Sequence, residues 1–502
     1  MRRLAAFALA LDVGTSSVRA SIFDSRGDAV PGTTSQLGNR VHYGRDGAAE
    51  LDALELWERV QAAVDGALMG WRTAARPEGR IVAVGAACFW HSLLGVDDHG
   101  DPVSPVLTWA DVRAALAARS LGERVDADAV RARTGCRLHA SYLPAKLAWV
   151  RREHPDWWST AVRWVGLGAF LTAHLHGSWV SSLSDVSASG LWDQRSGQWD
   201  AELLDAVGIG YARLPEVADL SECDLHLHRS LAQRWPELAE ARWLLPVGDG
   251  ACNNLGAGAT DSRTVVLMVG TSGAVRVLHR GGLQPLPATL WQYRLDRGRA
   301  VVGGALSNGG NLVQWLVETL RVEPADLEAA LATRQPDGHG LTFLPLLAGE
   351  RSPGWAPDAY GAVVGLRAAT AAIDIAAAAL EAAATRFAAI CADLEGVFGP
   401  ATRMVGTGGG FSRGTLWSKL LADAIGRPVA TSKQPEATSR GAALLALEAS
   451  GAIEAAEAVP AGVEPAVWPD PARHRVYGEV GARTQGLYQR LGIGSGAFPS
   501  GG

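Results

Sequence analysis

The chain opens on an apolar run, FALALDVG, that breaks at a Gly-Thr-Ser-Ser turn, resumes as the β-rich SVRASIFD and ends near a Gly-Asp turn. That pattern predicts a β-hairpin whose tip is rich in backbone and hydroxyl donors. A second copy follows as TVVLMVGTSGAVRVLHRGG, where Gly270-Thr271-Ser272 repeats Gly14-Thr15-Ser16 and Val275-Arg276 repeats Val18-Arg19. The copies lie about half the chain apart, so two homologous halves are expected, each giving one turn to a shared cleft. Helical periodicity over 51–71 leads into strand-like IVAVGAACF, and a helical run over 373–398 leads into strand-like TRMVGTGGGF. The alternation predicts a mixed α/β fold. The boundary is placed at Leu245 to Asp249, giving domains 1–247 and 248–450, then 451–493 as linker and closing helix and 494–502 as a disordered tail.

Two apolar stretches invite other readings. The first meets Asp12 and a turn instead of a cleavage site, and is read as a buried strand. Ala368 to Ile390 is mostly alanine and carries Asp374, Glu381 and Arg386, so it is read as a core helix and not a membrane span. Composition changes the picture only by exclusion. With 46 Lys and Arg against 52 Asp and Glu and no long basic run, the chain lacks what a nucleic-acid binder needs to displace counterions. Its five cysteines are scattered and form no CxxC pair, which excludes a disulfide framework or zinc site readable from spacing.

Candidate chemistry gathers at the turns. The two turns can point backbone N–H groups and hydroxyls at phosphate oxygens, with Thr15, Ser16, Gly270, Thr271 and Ser272 as the candidates and glycine permitting close approach, although neither turn is a GxxxxGK[ST] loop. Asp12, ending a buried strand before the first turn, suits a magnesium ion or a cap on its own turn. GTGGG at 406–410, opening into FSRGTLWSKLLADAIG, is either a tight turn or a strand-to-helix turn that receives a nucleotide. Asp249, after strand-like ARWLLPV, suits a general base or a helix cap.

DVGTSSVRA, GTSGAVRV, GGGFSRGTLWSKLLADAIGRPV and GERSPGW together resemble the FGGY carbohydrate kinases over nearly the whole chain. Between Gly361 and Glu381, residues Gly361, Val363, Gly365, Leu366, Asp374, Ile375, Ala378, Ala379, Leu380 and Glu381 fill the family's C-terminal signature. A second signature is met in part: Lys146 and Trp149 are present, but Leu143 takes the slot expected for Pro144. The resemblance implies two actin-like (ribonuclease H-like) α/β domains flanking a nucleotide and substrate cleft, and ATP with Mg2+. It casts Asp12 as metal holder, Arg19 on the transferring phosphoryl group, Asp249 as base, and Gly310, Gln314, Gly409, Gly410 and Arg413 on the nucleotide. Trp90, His91, Asp111 and Arg113 fall at the acceptor. A carboxylate has an ordinary pKa of about 4, yet a loose phosphoryl-transfer transition state needs only late proton removal.

TWADVR at 108–113, GDGACNNLGAGA at 248–259 and GERSPGW point within the family to phosphorylation of gluconate to 6-phosphogluconate. Arg113, Lys146 and Arg351 are then the candidates for meeting a substrate carboxylate. A xylulokinase-like pentulose or polyol kinase stays open, as does a non-catalytic actin-like switch or sugar sensor, against which the presence of Asp249 weighs. The expected partner is a small sugar or sugar acid, with no nucleic acid and no membrane; the expected location is cytoplasmic, and a homodimer is an open expectation.

Overall fold

In β1 (Ala5–Val13) bulky and small residues alternate, so Phe7, Leu9, Leu11 and Val13 share one face while Ala8, Ala10 and Asp12 share the other. The computed structural model of the chain describes residues 5–73, 79–220, 222–347, 349–412 and 414–493; Arg413 and the tail 494–502 lie outside it. β1 pairs antiparallel with β2 (Ser17–Asp24), which pairs with β3 (Ser35–Gly38). The bulky face of β1 is covered by α1 (Ala53–Thr73), through Leu56, Val60, Val64 and Leu68, all fully buried. Each such side chain contributes roughly 1.5–3 kcal/mol. β4 (Gly79–Cys88) lies parallel to β1 on its other side. After a helical insertion that includes α2 (Leu143–Glu153), β5 (Arg242–Trp243) extends the sheet parallel to β4. Val247-Gly248 then pairs with Ala87-Cys88 and opens directly into α3 (Asp249–Gly256).

The second half repeats this plan. β6 (Thr264–Val269) and β7 (Gly273–Arg280) form the antiparallel hairpin, followed by β8 (Trp291–Arg294) and β9 (Arg299–Leu306). α4 (Gly310–Leu320) and the long α5 (Ala372–Phe398) precede β10 (Arg403–Thr407), α6 (Leu416–Ile425), β11 (Val429–Thr431) and α7 (Ala437–Ala449). The strand orders β3-β2-β1-β4-β5 and β9-β7-β6-β10-β11 correspond, with β8 added at one edge, so each half has the ribonuclease H-like arrangement. α5 is the one helix among the described residues long and apolar enough to cross a membrane, yet its most apolar window is 78% buried inside the protein. α8 (Pro471–Arg490) closes over α5 and α6, burying Tyr477 in the second core.

α3 and α7 fill the space between the sheets. The alanine face of β1 lets α7 approach, and a Cβ on Gly85 of β4 would come within 2.2 Å of the Ala442 carbonyl oxygen. α3 and α7 cross at backbone contact: a Cβ on Gly256 would lie 1.7 Å from the Ala437 carbonyl oxygen, and one on Gly441 would lie 2.0 Å from that of Cys252. Buried Arg440 of α7 donates to the carbonyls of Gly256, Pro460 and Gly27, the last in the β2–β3 connection. The segment 248–450 therefore also supplies a layer to the first sheet.

Candidate functional site

Both hairpin turns open onto one cleft of ≈ 950 Å³ lying between the sheets. Gly14 to Ser17 line it from the first half and Gly270 to Gly273 from the second. Each turn is closed by its first glycine, Gly14 N–H donating to the Ser17 carbonyl three residues on at 2.9 Å and Gly270 N–H to that of Ser272 two residues on at 3.0 Å. Gly408, at φ +85, carries the GTGGG turn against Val269, where a Cβ would stand 2.6 Å from the carbonyl oxygen. That close approach needs glycine and brings Gly409 and Gly410 into the same wall as Val313, Gln314, Glu328 and Leu416. Gly310 lines the cleft too, but its N–H donates to the Gly270 carbonyl at 2.7 Å, and Asn311 N–H donates to that of Thr271. The start of α4 is thus spent on shaping the second turn. The Gln314 amide donates to Glu318.

Asp12, at the end of β1, sits on the small-residue face and looks into the cleft. Burial first, then the Asp249 carboxylate, push its pKa up to about 7; Arg19 opposes the rise and Glu436 adds to it. Arg19 stands opposite in the β1–β2 ladder, 3.8 Å from Asp12, and is bound to Glu436 and to Gln36. A carboxylate crowded by two others is a place where a cation is favoured. Among the described residues no three metal-ligating side chains cluster. Magnesium commonly uses one or two carboxylates with phosphates and water, so the donor set at Asp12 fits it.

Asp249 begins α3, its Oδ1 accepting from Gly250 N–H at 2.6 Å. Burial raises its pKa, with Arg276, the Gly250 N–H and Arg351 opposing. The flanking glycines are forced by neighbours: a Cβ on Gly248 would lie 1.8 Å from the Trp90 indole, and one on Gly250 2.9 Å from Arg276 Nε. Around Asp249 the cleft becomes an aromatic chamber. Trp291 stacks on Tyr293 at 4.1 Å, Trp90 meets Tyr293 edge-on, and Trp355 stacks on Tyr142. The Tyr142 and Tyr293 hydroxyls, one from each half, are 2.6 Å apart. Arg351 lies over Trp109 at 4.3 Å and donates to the Leu306 carbonyl. Burial lowers its pKa to about 10, which leaves it cationic at neutral pH. His91, at φ +65, lines the chamber with Nδ1 2.8 Å from the Ala188 carbonyl oxygen. Burial holds its pKa well below the usual imidazole value, so the ring is neutral.

Three expected acceptor residues do not line the cleft. Asp111 and Arg113 pair with each other, and Arg113 also binds Glu50 while lying over Trp149. Asp111 is 2% exposed, so this ion pair pins the 108–113 loop instead of meeting a ligand. Lys146, on α2, is fully buried and donates to the carbonyls of His91, Leu107 and Thr108. It braces the left-handed backbone at His91 from behind, and a cation whose three donors are taken has none for a substrate. Lys146→Met is expected to destabilise the protein by about 2–3 kcal/mol, since buried carbonyls lose their donor. Denaturant unfolding checks this; a variant as stable as the wild type would contradict the brace.

The sequence reading left out Arg276 and the aromatic chamber other than Trp90. A signal for Arg276 was present in the repeat as the Val-Arg pair that follows each turn, although in the ladder Ala274 takes the place of Arg19 and Arg276 lies two residues further along β7. The aromatic side chains come from segments far apart in the chain, Trp109, Tyr142, the β8 residues Trp291 and Tyr293, and Trp355, with no common spacing to link them.

Residues 7–239 match the N-terminal domain, and residues 265–450 the C-terminal domain, of the FGGY family of carbohydrate kinases. The chain is 29% identical over 469 residues to the gluconokinase of Bacillus subtilis (strain 168), covering 91% of this chain and 90% of that one. It is 30% identical over 485 residues to the glycerol kinase of Thermus brockianus, covering 93% of each. The fold matches the ligand-bound xylulose kinase of Lactobacillus acidophilus with a TM-score of 0.88, over 98% of this chain and 100% of that one at 24% identity.

Proposed function

The chain belongs to the FGGY family of carbohydrate kinases, and from that premise we propose that it transfers the γ-phosphoryl group of ATP to a hydroxyl of gluconate, giving 6-phosphogluconate. The observation that carries the reading is the single cleft in which the two Gly-Thr-Ser turns, Asp249 and a chamber holding Arg276 and Arg351 lie together. In this reading the adenosine lies along Gly409, Gly410 and Gln314, and the two turns receive the phosphates with Thr15, Ser16, Thr271 and Ser272. Asp12 would hold a magnesium ion with the phosphates and water, which when bound neutralises phosphate charge. Asp249 accepts the proton of the attacking hydroxyl as it meets the phosphoryl group in line. Arg19, tied to Glu436, orients Asp12. The aromatic walls cover the C–H faces of the acceptor and keep water from taking its place. A cytoplasmic location, where ATP is supplied, goes with this reading.

The test is turnover of gluconate, xylulose, ribulose and glycerol with ATP and Mg2+, with an acceptor-free control. Gluconate is expected to give the highest kcat/KM. Greater turnover of a pentulose or glycerol would move the assignment within the family. Acceptor-independent ATP hydrolysis with no sugar phosphate formed would favour a nucleotide switch.

A further inference from the structure

Arg276 is an unusual arginine: it is 7% exposed, lines the cleft, and both Nε and Nη1 lack a hydrogen-bond partner. Among the described residues no carboxylate stands within ion-pair distance of it; burial lowers its pKa, and Asp249 is close enough to oppose that. Leaving guanidinium donors buried and unpaired costs about 1–3 kcal/mol each, more for a charged group. Such a group is maintained where a ligand completes it. Arg351, on the loop before Trp355, shares the chamber and has an unpartnered Nε as well.

Their placement says which part of a ligand they meet. β7 runs from the second phosphate turn into the chamber, with Ala274 and Arg276 on the same face. From Ser272 to Arg276 the strand advances ~13 Å. Ala274 is small and leaves the space between open. Asp249 lies beside Arg276, and Arg351 acts on it too, so an acceptor hydroxyl at Asp249 leaves the rest of a six-carbon chain within reach of both guanidinium groups. Arg276 is held from behind, its stem against Gly303, where a Cβ would be 3.0 Å from Cγ. Arg351 is fixed by Trp109 and the Leu306 carbonyl. Two fixed guanidinium groups with spare N–H donors match the geometry of a carboxylate. The neighbouring histidines, His91 and His139, are neutral because burial lowers both, His139 to about 3, so they neither compete for nor repel an anion.

We propose that Arg276, with Arg351, receives the carboxylate of a sugar-acid acceptor and thereby selects sugar acids over ketoses and polyols of similar length. This rests on the kinase reading above and deepens it, and it replaces Arg113 and Lys146 with Arg276 as the cation concerned.

The wild-type enzyme supplies the first test: kcat/KM for gluconate against gluconamide and glucitol, which keep the chain and lose the charge. Gluconate is expected to be favoured by about 100-fold, the worth of one or two charge-assisted hydrogen bonds. Equal kcat/KM for gluconate and gluconamide would overturn the proposal while leaving a gluconate kinase standing. If xylulose or glycerol is the best acceptor, the functional reading itself fails. The second test is Arg276→Met, with Arg276→Lys beside it. The ratio of kcat/KM for gluconate over glucitol is expected to fall by about 100-fold in the first and less in the second, chiefly through KM for gluconate. Loss of kcat on both acceptors alike would place Arg276 on Asp249 or the phosphoryl group and overturn the proposal. Should neither variant fold, the wild-type comparison decides.

Discussion

Asp249→Asn is expected to lower kcat roughly 10²- to 10⁴-fold, the usual contribution of a general base, while ATP binding measured by calorimetry persists. Asparagine keeps the volume and can still accept from Gly250 N–H, so α3 has no reason to move. What it cannot do is take up a proton at neutral pH. Near-normal turnover would sink the assignment of the base. The pH profile gives a second reading of the same residue. Burial raises Asp249 above 3.8, with Arg276 the first of the groups that oppose it. Catalysis needs the unprotonated form, so kcat/KM should fall as pH drops through that raised value and recover above it. Residual activity of the asparagine variant should lack this limb, and Arg276→Met should move it to higher pH by removing the opposing charge.

Gly441→Ala is expected to be damaging although it touches no ligand. The added methyl would stand 2.0 Å from the Cys252 carbonyl oxygen, against backbone that cannot rotate away. Overpacking of a core commonly costs about 1–3 kcal/mol, and a helix crossing at backbone contact has little slack to absorb it. Separation of α7 from α3 would also move Asp249, because that residue begins α3. Denaturant unfolding should show the lost stability, and kcat should fall with it. A variant of wild-type stability and turnover would mean that α3 is positioned by something other than this crossing.

Much of the architecture was legible because it is periodic or repeated. The two hairpins, α1, β4, α5 and β10 stand where the apolar pattern predicts them, since strand and helix periods are local properties of the chain. The duplicated Gly-Thr-Ser turn likewise leads to two corresponding sheets. The densest run of family positions, Gly361 to Glu381, lines no part of the cleft. Glu381 accepts from the Asp337 N–H and pairs with His339, so this stretch is scaffold for the start of α5.

The site was legible mostly where a residue belongs to a turn, a loop or an element end, with Arg19 and Gln314 as exceptions inside elements. Asp12, the two turns, Asp249, Trp90, His91 and Arg351 all line the cleft. Arg113 and Lys146 are candidate cations with Arg351 on the strength of the family resemblance, but a cation's availability depends on whether its donors are already taken. That is settled by Asp111 and Glu50 for Arg113 and by three carbonyls for Lys146. Arg276 stands out only once its neighbours are known, with Nε and Nη1 left without a partner. By itself the sequence determined the two-half fold, the family and the two Gly-Thr-Ser turns, because these rest on period, repetition and local motifs. Only the tertiary structure decided which arginines line the cleft with donors to spare, because an unpaired donor is a property of everything packed around it.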